Sequence, residues 1–466
     1  MTYSAELSRR SLLGASAAGL ALPGYLLPAG TAFAQSGKPP LEFNVSTSSF
    51  SVAERDRRWA AVRAGMAKPH WNLDAIITVG SDGAGNAARY LTQIGNRPGG
   101  EGSPEVVFPR DGAQPVYAQV GQARARDRRK AANPNWTADG KLEIAAEDGP
   151  EALAKVIAAR GINRAGARVG IAALSGSRFN ENGSVSTTYL DKLKVALPGV
   201  VFVGIDQWGP DSGPIEESAM LKGAEEHAVI RRIIAAAEQG LMAMVAAGKT
   251  AKQQADIWFA AYTTMFALTG EDPSRLSIAL DNPGNTTLGE PTNDPVKMGQ
   301  IATEEIESSI QGYRAQINHS VFFGGPSTPG YDYYRACIEL AAKLLQEAPS
   351  WVVPGKTTCG EFVKRYTDRL EELGGDDTSG VSLHSSGIGN LTRPRVGLKN
   401  SVKDHAIVIR PGMAFDFKPA FHLKREKMAD AGGKNRDVQL GEHFLVTEQS
   451  MVRLGSRPLV PLTTQG

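Results

Sequence analysis

"GQIATEEIESSIQGYRAQINHSVFFGGPS", residues 299–327, decides how this chain folds. The run reads as a β-hairpin, with residues 311–325 as its second arm. Successive side chains of a strand point to opposite faces, so Arg314, Gln316 and Asn318 share one face, and His319 falls on the other. Three polar side chains in a row on one face of a strand line a cleft or an open surface better than an apolar core.

Outward from the hairpin, the second half of the chain alternates helices with strands. Upstream, "EESAMLKGAEEHAVIRRIIAAAEQGLMAMVAAGKT" predicts one long helix, and "AKQQADIWFAAYTTMFALTG" a second that closes on Gly270. "RLSIAL" predicts a strand. Downstream come helices in "YDYYRACIELAAKLLQEA" and "TCGEFVKRYTDRLEELGG", then strands in "GMAFDFKPAF" and "VQLGEHFLVTEQ". Helix pair, hairpin, helix pair and further strands predict an internally duplicated α+β domain around a central cleft, residues 211–466. Before it, helical "ERDRRWAAVRAGMAK" and "GPEALAKVIAARGI" alternate with apolar runs such as "LDAIITVG", "ARYLTQIG" and "ARVGIAAL", which predict strands of a separate α/β domain, residues 35–210. The turn-rich "DQWGPDSGP" is the expected linker.

At 466 residues the chain is long enough for two such domains, and 41% hydrophobic with 21% charged residues is ordinary for a globular protein. A net charge of +2 argues against a dedicated nucleic-acid binder, which concentrates Lys and Arg on one face. Two cysteines, Cys337 and Cys359, exclude a disulfide framework and a Cys-based zinc site, and their places on successive helices predict two separate buried thiols. Residues 1–34 carry a twin arginine (Arg9, Arg10), a weakly apolar run and an Ala32-Phe33-Ala34 cleavage site. They resemble a twin-arginine (Tat) export signal, which implies a periplasmic or secreted protein. No other stretch has the roughly 18 uninterrupted apolar residues of a membrane span, so no membrane contact is expected after signal removal.

Five segments of the second half carry a family resemblance. "ESAMLKGAEEHAVIRRIIAAA", the hairpin quoted above, "HSSGIGN", "IRPGMAFDFKPAF" and "VQLGEHFLVTE" are similar, in order and spacing over residues 216–455, to the opening helix, metal-binding hairpin, His-Gly-Ile-Gly loop, Pro-Gly-Met strand and closing strand of the creatinase, Xaa-Pro aminopeptidase and methionine aminopeptidase (M24) superfamily. The resemblance implies a pita-bread fold preceded by a smaller creatinase- or prolidase-like domain, a homodimer and a small-molecule substrate. It also implies a pair of divalent cations held by two Asp, one His and two Glu. That ligand set fails residue by residue. Its positions fall on Glu305, Gln316, Ser386 (or His384, if the loop slips by two), Lys418 and Gly441. A lysine ammonium is all donor, glycine has no side chain, and the carboxylates that offset two hard cations are missing. No metal and no cofactor is therefore expected. A single ion on His384, His443 and Glu305 is the weaker alternative, because Lys418 would repel it.

What the cleft offers instead is metal-free acid–base chemistry, as creatinase itself implies for this frame. Glu305 and His384 are candidate proton carriers, and Lys418 a candidate oxyanion partner. Methionine at 418 is expected to abolish that role at little cost in stability. Arg314, Gln316, Asn318, Ser386, Asp416, His443 and Glu290 are candidate substrate contacts; Glu290 stands where creatinase has its cleft histidine, which argues against creatine. Three functions follow in order of preference: a metal-independent hydrolase or lyase acting on a small C–N substrate, a non-catalytic small-molecule-binding relative, and a metal-dependent Xaa-Pro aminopeptidase. "RARDRRK" (residues 124–130) reads as a solvated loop. "GAGNAA" from Gly83 lacks the context of a dinucleotide loop, and "HSSGIG" lacks a Gly-x-Ser-x-Gly nucleophile elbow.

Overall fold

Two β-sheets organise the chain. The computed structural model describes residues 50–79, 83–94, 104–121, 133–175, 183–205, 212–281, 288–389, 393–399, 401–424 and 436–465. The signal-like segment, "RARDRRK" and most of the expected linker lie outside these residues.

The first sheet has six strands, in the order Leu142–Ala145, Val116–Gln119, Glu105–Pro109, Ala75–Thr78, Arg168–Ala172, Val201–Gly204. Ala75–Thr78 pairs antiparallel with Glu105–Pro109 and parallel with Arg168–Ala172, so the sheet is mixed, as α/β domains with an irregular half often are. The segment "ARYLTQIG", expected as a strand, lies largely in a helix, Gly83–Thr92. Ala87, Ala88, Leu91 and Ile94 recur at helical spacing and are all buried, and that amphipathic period outweighed the local apolar run.

The second sheet has 13 strands among the described residues, wrapped by four long helices: Ala224–Ala247, Gln254–Thr269, Tyr331–Glu347 and Cys359–Glu372. The hairpin is present: Ile301–Ile310 pairs antiparallel with Tyr313–His319. Gln311 and Gly312 join the arms with φ of +53° and +76°, the left-handed pair that a tight two-residue hairpin turn requires. Gly270 ends its helix in the left-handed conformation (φ +71°), as expected.

The expected single long helix is two, Pro214–Met220 and Ala224–Ala247. Leu221 turns extended, the Lys222 amide donates to the Gly412 carbonyl (3.0 Å), and Gly223 lies so close to the N-terminal helix Val52–Met66 that a Cβ there would stand 2.3 Å from Glu54 Oε2. Tertiary contact with the first domain breaks a run that is helical by its own period.

From Phe50 on, both sheets belong to one packed unit, and the largest buried cluster joins Trp59, Tyr90 and Phe108 of the first to Ile230, Ile306 and Tyr313 of the second. Arg58 lies at this seam, fully buried. It donates to Glu54 Oε1 (2.7 Å) and stacks on the rings of Phe50, Tyr90, Trp136 and Tyr313, while Tyr313 donates to Glu226 (2.6 Å).

Candidate functional site

Register sets the candidate residues side by side. Ser277 pairs with Glu305, and Asn318 with Gly441; one row over, Arg275 pairs with Glu307 and Glu307 with Gln316, while His443 pairs with Asp416 and Asp416 with His384. Two cross-strand rows thus bring together chain segments that are far apart in sequence.

The centre of the site is an ion pair. Lys418 Nζ donates to Glu305 Oε1 at 2.5 Å, with both side chains almost wholly buried. The carboxylate's other oxygen lies 2.6 Å from Nε of Arg275, a residue that sequence reading did not single out. Burial alone would raise the Glu305 carboxyl, but Lys418 and Arg275 outweigh it and hold it at about 2. Glu305 is therefore a fixed anion with both oxygens engaged, which makes it a poor proton carrier. Lys418 reaches it past Gly441, where an added Cβ would stand 2.6 Å from Asn318 Oδ1 and 2.9 Å from Lys418 Cβ. The missing carboxylate at Gly441 and the lysine at 418 are one packing solution.

Beside this pair, His384 Nε2 lies 3.3 Å from Asp416 Oδ2. Asp416 is fully buried, and burial pushes its carboxyl upward against the pull of His384 and Lys418. His443 follows in the same row, its pKa held well below the usual histidine range by burial first, with His384 and Lys222 acting in the same direction. The Gln316 backbone opposes this shift, but neither ring nitrogen of His443 completes a hydrogen bond.

Other expected contacts are structural. Gln316 donates to Asn318 (3.0 Å), and Asn318 to the Glu304 carbonyl (2.7 Å) and Gln439 (3.0 Å), which holds both amides inside the sheet. Arg314 is occupied by Glu307 (3.1 Å) and the Gly389 carbonyl (3.0 Å). Ser386 is buried, its amide bonded to Ala414. Glu290 is not brought to the cluster: it is exposed, one residue past the Ile278–Gly289 bridge on the outer side of the Arg275–Leu280 strand. Under the sheet, Arg457 donates to the carbonyls of Asn318 (2.9 Å) and Gly441 (2.7 Å) and contacts Glu442, clamping two site strands together. Arg457 and Arg275 both escaped the sequence reading; strand alternation from Ser277 was the only signal for Arg275.

The residues present do not fit a dinuclear centre. A buried ammonium stands between the ligand positions, Glu305 is consumed by two cations, and no described group of three or more His, Cys, Asp or Glu is arranged to hold a metal ion. A cavity of about 330 Å3 lies elsewhere, lined by Lys68, Ser212, Glu217, Met220, Ile407 and Arg410, and none of the cluster residues borders it.

The profile of metallopeptidase family M24 matches residues 227–448. No curated protein is similar enough in sequence to be matched. Among solved structures, the chain is similar to X-Pro aminopeptidase from Thermotoga maritima MSB8 (14% identity, 84% of this chain and 98% of that one, TM-score 0.65). It is also similar to dipeptidase PepE from Mycobacterium ulcerans (16%, 90% and 100%, 0.66), and to the N-terminal domain of FACT complex subunit SPT16 from Eremothecium gossypii (11%, 89% and 99%, 0.62). At such identities the likeness is one of fold, and it covers both domains: a creatinase-like α/β domain followed by a pita-bread domain.

Proposed function

We propose that the chain, whose residues 227–448 match the profile of metallopeptidase family M24, is a metal-independent hydrolase or lyase acting on a small C–N-containing substrate. The observation that carries the reading is the Lys418–Glu305 ion pair, which puts a protein ammonium where the superfamily's ligand pattern calls for cations. In this reading Lys418 stabilises negative charge developing on the substrate. His384, oriented by Asp416, moves the proton. Glu305 stays ionised and holds Lys418 in place, a role narrower than the proton carrier expected of it.

A second reading is a non-catalytic small-molecule-binding relative. It is favoured by the engagement of both Glu305 oxygens, and by the occurrence of the same frame in a subunit of the FACT complex as well as in peptidases. A metal-dependent Xaa-Pro aminopeptidase is disfavoured by the donor set.

Elemental analysis of the purified protein, with turnover of amide, amidine and guanidino substrates measured with and without chelator, separates the three. The metal-free enzyme predicts well under one equivalent of Zn, Mn, Co or Fe and chelator-insensitive turnover. Binding without turnover supports the second reading, and metal-stimulated turnover refutes both. Export through Arg9 and Arg10 to the periplasm and a homodimeric state complete the proposal; no described helix is long and apolar enough to cross a membrane.

A further inference from the structure

Among the charges of the cleft, one is open. The side chains of Glu305, Glu307, Lys418 and Asp416 are 8%, 5%, 6% and 0% exposed, and Arg314 18%, whereas Arg275 is 46% exposed. Arg275 opens the strand Arg275–Leu280, an edge that Glu305 meets through the Ser277 pairing. Its guanidinium spends one nitrogen on the protein: Nε faces Glu305 Oε2 at 2.6 Å and Ser277 Oγ at 3.3 Å. Neither terminal amino group has a hydrogen-bond acceptor among the described residues. The fork of a guanidinium, two parallel N–H donors in a plane, is the shape that takes a carboxylate bidentately.

We infer that Arg275 is the docking residue for the acidic group of the ligand, so that the cleft takes a small carboxylate. The inference rests on the reading of this cleft as a metal-free site and adds its substrate class. Glu305 holds the guanidinium by its inner nitrogen and leaves the outer pair to the ligand. The acids that would repel an incoming anion are covered, two of them by cations: Glu305 by Lys418 and Arg275, Glu307 by Arg314, and Asp416 beside His384 at full burial. A ligand seated on the fork is linked to Lys418 through Glu305, whose two oxygens the two cations share. A lysine at 275 would keep the charge against Glu305 but lose the planar pair of donors.

The test uses calorimetric binding of N-acetylglycine, hippurate and guanidinoacetate, each matched with its primary amide, to the full-length mature protein, with and without EDTA. The expected result is that at least one acid binds, its amide at least tenfold more weakly. Arg275→Gln should then weaken that acid at least tenfold, and Arg275→Lys by an intermediate factor. The lysine variant also serves if the glutamine variant does not fold. Acids that bind no better than their amides, no acid that binds at all, or an affinity unchanged by both substitutions overturns the inference. Chelator-insensitive binding that ignores Arg275 overturns this inference alone. Chelator-sensitive binding that still requires Arg275 overturns the metal-free reading alone.

Discussion

Replacing Lys418 by methionine tests the centre of the site. The change keeps the length of the side chain and removes the charge, and from sequence it was expected to cost little stability. The geometry says otherwise, because the ammonium is the nearest compensation for a carboxylate that is nearly buried. Glu305 is held at about 2 against an ordinary 4.5, and at about 1.4 kcal/mol per unit that shift amounts to roughly 3 kcal/mol of stability at neutral pH. Arg275 remains in the variant, so an expected loss of about 2–3 kcal/mol is reasonable for a buried pair broken on one side. The sign follows from a depressed acid. Its contribution is complete above about pH 4.5 and is lost as pH falls through about 2. In the variant, burial prevails and the carboxyl accepts a proton earlier, which relieves it. The gap between wild type and Lys418→Met should therefore narrow by roughly 1 kcal/mol or more between pH 7 and pH 4. Urea unfolding followed by tryptophan fluorescence at the two pH values measures it. Lys418→Met/Glu305→Gln, which removes both charges, should return to within about 1 kcal/mol of wild type. A single variant within about 0.5 kcal/mol of wild type at pH 7, or a gap that ignores pH, would refute the argument.

Three further outcomes are expected. Gly441→Glu restores a carboxylate at a position where the superfamily has one, but forces a Cβ against Asn318 and Lys418; urea unfolding should show a loss of about 1–3 kcal/mol, and elemental analysis no gain of metal. Cys337 and Cys359, both free and buried, should appear as two thiols in the mass of the unreduced protein and alkylate only after denaturation, the Cys337 thiol being pushed up to about 12 by burial; a peptide linking the two would contradict this. Arg9→Lys/Arg10→Lys should leave unprocessed precursor inside the cell, and normal maturation of that variant in the periplasm would remove the export assignment.

What the sequence determined by itself is what short-range physics controls. The period-two alternation of residues 313–319 set one polar face, and Gly270 marked a helix end, because left-handed backbone selects glycine locally. The order of elements in the second half, and the failure of the metal ligands at Lys418 and Gly441, were legible for the same reason: spacing along the chain is enough to align them. Tertiary structure decided the rest. Lys418 and Glu305 are 113 residues apart, and only strand order makes them partners. The same order brings Arg275 to the other oxygen of Glu305, turns Asn318 and Gln316 inward to bond the sheet, and leaves Glu290 outside. The long helix breaks at Leu221–Gly223, where the Lys222 amide bonds to the Gly412 carbonyl and Gly223 packs closely against Glu54 and Arg57 of the first domain. Which charges share a carboxylate, and which one stays open to a ligand, is set by contacts between distant segments, and no local pattern encodes them.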